Sequence, residues 1–172
     1  IIVYYSGHGI PDEQTNQAYL LPSDGIANDY RSAYSISDMY KQLGDMPTKL
    51  TTVFLDACFS GTSKEGNMLL KDSKGVIVKS KQVSPKGNMV VLSAAQGNET
   101  AFSYKKKKHS MFTYFLLKKL QETKGEVSLG DLGTYINKQV RQNSVVENGK
   151  IQTPTISVSE NMSLIWNNLK LK

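Results

Sequence analysis

Val53-Phe54-Leu55-Asp56-Ala57-Cys58-Phe59-Ser60-Gly61 is the stretch that decides the fold. A short apolar run bounded by a Ser-Gly turn reads as a buried strand. That strand, expected over residues 50–57, presents Cys58, the only cysteine of the chain, at its carboxyl end. A second run, Ile1-Ile2-Val3-Tyr4-Tyr5-Ser6-Gly7-His8-Gly9, does the same for an imidazole, 50 residues upstream. A thiol at one strand end and a base at another are the minimum kit for acyl transfer.

Working outward, Ile1 to Tyr5 has the continuous apolar character of a strand buried on both faces of a parallel sheet. Residues 10–17 read as loop and 18–21 as a short strand, closed by Pro22-Ser23-Asp24-Gly25. Ser35 or Ser37 caps a helix over 36–43, which stops at Gly44. Residues 89–95 form a third core strand. Ser110 caps a helix over 111–123, whose apolar positions Met111, Phe112, Phe115, Leu116 and Leu120 share a face. A second amphipathic helix covers 129–146, and Ile156-Ser157-Val158 is a last short strand. Strands alternating with helices predict an α/β domain around a mostly parallel sheet. The functional site of such a sheet lies beyond the carboxyl ends of its strands, where both His8 and Cys58 fall.

The 172 residues suit one domain with one proper core. No apolar stretch approaches the roughly 20 residues of a membrane helix, and no membrane partner is expected. The first residues read as core strand with no secretory signal, so the chain is expected to open inside a domain with strands upstream of Ile1. One cysteine excludes an internal disulfide and a structural zinc knuckle. The net charge of +6 is concentrated in two segments. Residues 61–88 hold six lysines (64, 71, 74, 79, 81, 86) against Glu65 and Asp72, and Lys105 to Lys108 form a second run. Without interleaved aromatic residues these read as solvated loops, and no nucleic-acid partner is expected. His109 reads as a surface or packing histidine.

Several motifs together resemble the caspase-like cysteine peptidases, and within them the metacaspase-like bacterial branch. They are Tyr-Ser-Gly-His-Gly at 5–9, Tyr-Leu-Leu-Pro-Ser-Asp at 19–24 and Asp-Ala-Cys-Phe-Ser-Gly at 56–61. Leu-Ser-Ala-Ala at 92–95, His-Ser-Met-Phe-Thr-Tyr-Phe-Leu-Leu at 109–117 and Gln-Thr-Pro at 152–154 continue them. A histidine about 50 residues before the cysteine is also the caspase spacing. The resemblance implies a caspase-like (caspase-hemoglobinase) three-layer sandwich. Residues 1–172 would be a single peptidase domain lacking its N-terminal strands, with 62–88 as a lysine-rich linker or loop.

It further implies a cysteine endopeptidase with Cys58 as nucleophile and His8 as acid and base. The backbone N–H groups of Gly9 and Cys58 would form the oxyanion hole. Asp56 lies two residues before Cys58 and so on the same strand face. By resemblance Asp56 and Ser6 line a pocket for substrate arginine or lysine. A structural carboxylate accepting loop donors, and a plain turn serine, are the alternatives. The expected partners are protein or peptide substrates with Lys or Arg at the cut, and an upstream segment of the same protein. Cleavage within 62–88, at Lys71, Lys74, Lys79 or Lys81, would be self-processing. The positions equivalent to a metacaspase calcium ring read Gln17, Asp38, Met39 and Glu65, too few carboxylates for calcium, so no cofactor is expected. Zinc held by His8, Cys58 and Asp56 is a formal alternative that the resemblance disfavours. The rival from another class is a catalytically silent caspase-like interaction module.

Overall fold

The structure is a computed structural model that describes residues 1–12, 14–26, 29–59, 81, 83–97 and 99–171. Its centre is a four-stranded sheet of β1 (Ile2–Ser6), β5 (Thr51–Asp56), β6 (Met89–Ser93) and β9 (Thr155–Val158), in the order β1-β5-β6-β9. The pairs β1–β5 and β5–β6 are parallel, and β9 closes the sheet antiparallel to β6. Between β1 and β5 the chain forms a small antiparallel sheet of β2 (His8–Pro11), β3 (Ala18–Leu21) and β4 (Tyr34–Ser35), then helix α1 (Ile36–Gly44). Between β6 and β9 it forms the hairpin β7 (Ser103–Tyr104) and β8 (His109–Ser110), then helices α2 (Met111–Glu122) and α3 (Leu129–Asn148).

Strand alternation sorts the core into two layers. Phe54, Val90 and Leu92 face α2 and α3, where Met111, Phe112, Phe115, Leu129, Leu132 and Ile136 are buried against them. Val53, Leu55, Met89 and Val91 face the other way, toward Ile36, Met39 and Tyr40 of α1. The architecture is the expected α/β sandwich with a mixed, mostly parallel sheet. Each helix starts at a serine whose hydroxyl accepts a backbone N–H: Ser35 from Asp38, Ser110 from Thr113 and Ser128 from Asp131. Gly133 lets α3 come down on the sheet edge, because a Cβ there would collide with the Ile156 side chain.

Three expectations are corrected. The β1 strand is not buried on both faces. No described strand pairs along its outer side, and Ile2 and Tyr4 are 58% and 49% exposed. Residues 10–17 are not all loop: Ile10 and Pro11 belong to β2, and Ile10 is fully buried. The lysine run is not a plain loop, since Lys105–Lys107 make a 3₁₀ turn at the tip of the β7–β8 hairpin. Most of the 62–88 segment, with Glu65, Lys71, Lys74 and Lys79, lies outside the described residues. Of the other calcium-ring positions, Asp38 is in the first turn of α1 and Met39 is buried in the core.

Candidate active site

The parallel register of β1 and β5 aligns Ser6 with Asp56 at the strand ends. The Gly7 N–H donates to the Asp56 carbonyl at 3.2 Å, one step beyond. His8 and Cys58 therefore each stand two residues past the same aligned pair. Their main chains stay close. A Cβ at Gly9 would be 2.6 Å from the Cys58 carbonyl oxygen and would strike the Phe59 ring. Only glycine fits there, because the loop carrying the thiol lies against the strand carrying the imidazole.

The two side chains are held very differently. Cys58 is 2% exposed and joins the core layer beneath α2 and α3. Its Sγ accepts the Ala101 N–H at 2.9 Å, and the thiol lies 3.5 Å from the Ala101 carbonyl oxygen. His8 is half-buried, and among the described residues its imidazole makes no hydrogen bond. What fixes His8 is its main chain. The Tyr5 hydroxyl donates to the His8 carbonyl at 2.8 Å and to the Leu21 carbonyl at 2.9 Å. Burial pushes the Tyr5 phenol up from its usual range, so it stays a donor at neutral pH. In this conformation the sulfur is turned toward Ala101 and is not hydrogen-bonded to the imidazole. Catalytic hydrogen bonds are often absent or long before substrate binds.

Asp56 shares the Cys58 face, as its position on the strand requires, but it is fully buried. Its Oδ2 accepts short hydrogen bonds from the Ser110 and Thr113 hydroxyls at the start of α2. Thr113 in turn contacts the Tyr4 hydroxyl at 2.6 Å. These hydroxyls form the floor of a hollow of about 390 Å³, with Ser6 in its wall. A larger cleft of about 750 Å³ opens beside Phe59 on the α1 face, lined also by Tyr40, Leu55, Gln96 and Glu99. Gln152 braces the region from inside. Fully buried, it donates to the Ala94 carbonyl at 2.8 Å and accepts from the Phe102 N–H at 2.9 Å. His109 is exposed, as expected of a surface residue. Among the described residues no cluster of three or more metal-ligating side chains forms, and no helix is long and apolar enough to cross a membrane.

A family model described as the caspase domain matches residues 1–164. The chain belongs to the caspase-domain family. Solved structures that share its fold include two from very different organisms. A protein of Geobacter sulfurreducens superposes with a TM-score of 0.59 at 19% identity, over 92% of this chain and 65% of that one. Caspase-1 of Spodoptera frugiperda superposes with a TM-score of 0.55 at 16% identity, over 92% of this chain and 60% of its own. The chain thus spans between 60% and 65% of the length of these two structures. No curated protein matches it by sequence.

Within this caspase domain, sequence reasoning missed four partners of the site. Ala101 acts through its backbone, which no side-chain pattern reveals. Ser110 and Thr113 were legible as a helix start but not as the donors that hold Asp56. Tyr5 read as one more apolar strand residue.

Proposed function

We propose that the chain is a cysteine endopeptidase with a His8–Cys58 dyad that cleaves after lysine or arginine. The observation that carries the reading is the aligned end of β1 and β5, with Gly9 packed on the Cys58 carbonyl. From there, rotation about the Cys58 Cα–Cβ bond moves the sulfur from Ala101 toward the imidazole. His8 takes the thiol proton, and the thiolate attacks the scissile carbonyl. The N–H groups of Gly9 and Cys58 stabilise the oxyanion, a contribution worth about 10²–10³ in rate per donor. The His8 imidazolium then protonates the leaving amine. A water deprotonated by His8 hydrolyses the thioester and frees Cys58.

A basic side chain entering over Ser6 meets the hydroxyls of Ser110 and Thr113, with the Asp56 carboxylate directly behind them. The buried negative charge supports the basic preference, since little solvent screens it. Cleavage in the 62–88 segment, where only Lys81 among the candidate lysines is described, belongs to the same reading.

A panel of reporter peptides varying only the residue before the cut tests this. Cys58→Ala should lower cleavage at least about 10³-fold. Asp56→Asn should reduce the lysine and arginine preference by about tenfold while cleavage itself falls less. Full basic preference in the Asp56 variant would refute the pocket assignment. Mass spectrometry of the natural and Cys58→Ala proteins reads self-processing, and identical fragments from both would reject it.

A second reading, a catalytically silent interaction module, is favoured by one observation. The sulfur is enclosed in the core and turned to Ala101. Absence of cleavage and of Cys58 labelling by a thiol probe would select it.

A further inference from the structure

The 390 Å³ hollow has a cationic rim, while the Asp56 carboxylate lies buried behind the hydroxyls of its floor. Lys105, Lys108 and His109 line it together with Ser6, Ser110 and Thr113, and no described carboxylate lines it. The four lysines of this run do not behave alike. The Lys106 ammonium pairs with Glu147 at 3.0 Å, and Lys107 sits 5.5 Å from the Tyr114 ring centroid. Lys105 and Lys108 have no ion pair among the described residues, and both turn to the hollow.

The turn is well anchored. The Lys108 N–H donates to the Lys105 carbonyl at 3.2 Å, and Lys108 adopts the left-handed conformation that ends the turn. Tyr104 pairs with His109 and Ser103 with Ser110 at the hairpin base. Ala101, the residue that holds the Cys58 sulfur, lies two residues before the first strand of the hairpin. The Lys105 and Lys108 ammonium groups are thus carried by a short, hydrogen-bonded element that lines the hollow with Ser6 and follows the residue holding the thiol.

A lysine or arginine that approaches Asp56 over Ser6 passes this cationic rim. Like charges at close range oppose entry unless the substrate brings an anion of its own. We propose that the Lys105–Lys108 rim binds a carboxylate of the substrate next to its basic residue. The preferred substrates are then peptides in which Asp or Glu flanks the Lys or Arg at the cut. This deepens the basic-specificity reading and rests on it for the placement of the basic side chain.

The test separates binding from cleavage. Fluorescently labelled peptides with one lysine carry Glu or Gln at each of the two positions on either side of it. Their binding to the Cys58→Ala protein is read by fluorescence anisotropy. At one flanking position Glu should bind about fivefold more tightly than Gln, as expected of two exposed charge contacts. The advantage should shrink as salt is raised and invert in a protein that also carries Lys105→Glu and Lys108→Glu. The salt series needs no rim variant, so it stands even if that variant folds poorly. Equal affinity for Glu and Gln at every position overturns the proposal. So does a Glu advantage that survives high salt or charge reversal, or a failure of every peptide to bind. Cleavage of the same peptides by the natural protein, with lysine replaced by norleucine, scores the basic reading separately. Cleavage without a basic residue would sink that reading and leave the Glu–Gln comparison intact.

Discussion

The thiol end and the imidazole end of the candidate site are built on contrasting principles. Cys58 is enclosed by the α2–α3 core layer and held at its sulfur by the Ala101 main chain. His8 is half-buried, with its ring unbonded among the described residues and its backbone fixed by Tyr5. The nucleophile is positioned by packing, whereas the base is positioned by one hydroxyl and the strand register. Packing is shared among many side chains, so damage to the Cys58 side should appear as lost stability. Damage to the His8 side should appear as lost activity in a protein that remains folded.

The largest stability effect should come from the Cys58 side. Phe112 is fully buried in the layer that includes Cys58, and Phe112→Ala should cost about 3–5 kcal/mol through the cavity it leaves. Chemical denaturation reads this directly, and a loss below about 1 kcal/mol, the range of an ordinary surface change, would break the contrast. Next comes Tyr5→Phe, which removes the hydroxyl from the His8 and Leu21 carbonyls at a cost of about 1–3 kcal/mol. It should lower kcat more than it raises KM, since it moves the base and not the substrate pocket. An unchanged kcat would show that the strand register alone positions His8. The smallest effect should come from Lys106→Ala, which breaks an exposed ion pair with Glu147 and should cost under about 1 kcal/mol.

The contrast also explains what could be read from sequence. The β5 strand was legible as a continuous apolar run buried on both faces, and α2 and α3 because their apolar side chains repeat with the helical period. The β2 strand was not, because its four residues include a glycine and a proline that signal a turn. The β7–β8 hairpin has two-residue strands, too short for any periodicity to show. At the site, His8 and Cys58 stood out through the residues around them. The grip of Ala101 on the sulfur and the enclosure of Asp56 by Ser110 and Thr113 did not. They depend on segments more than 40 residues distant in the chain folding back on β5. The half-exposed face of β1 was likewise hidden, because an apolar run reads the same whether or not a neighbouring strand pairs beside it.

The central claim is that the imidazole activates the thiol across adjoining strand ends. Alkylation of Cys58 by iodoacetamide, followed by mass spectrometry in the natural protein and in His8→Ala, tests it without a substrate. The account predicts labelling at neutral pH that slows at least about tenfold when His8 is removed, because the thiolate is the reacting species. Equal rates in the two proteins would contradict it and leave Cys58 as a core thiol.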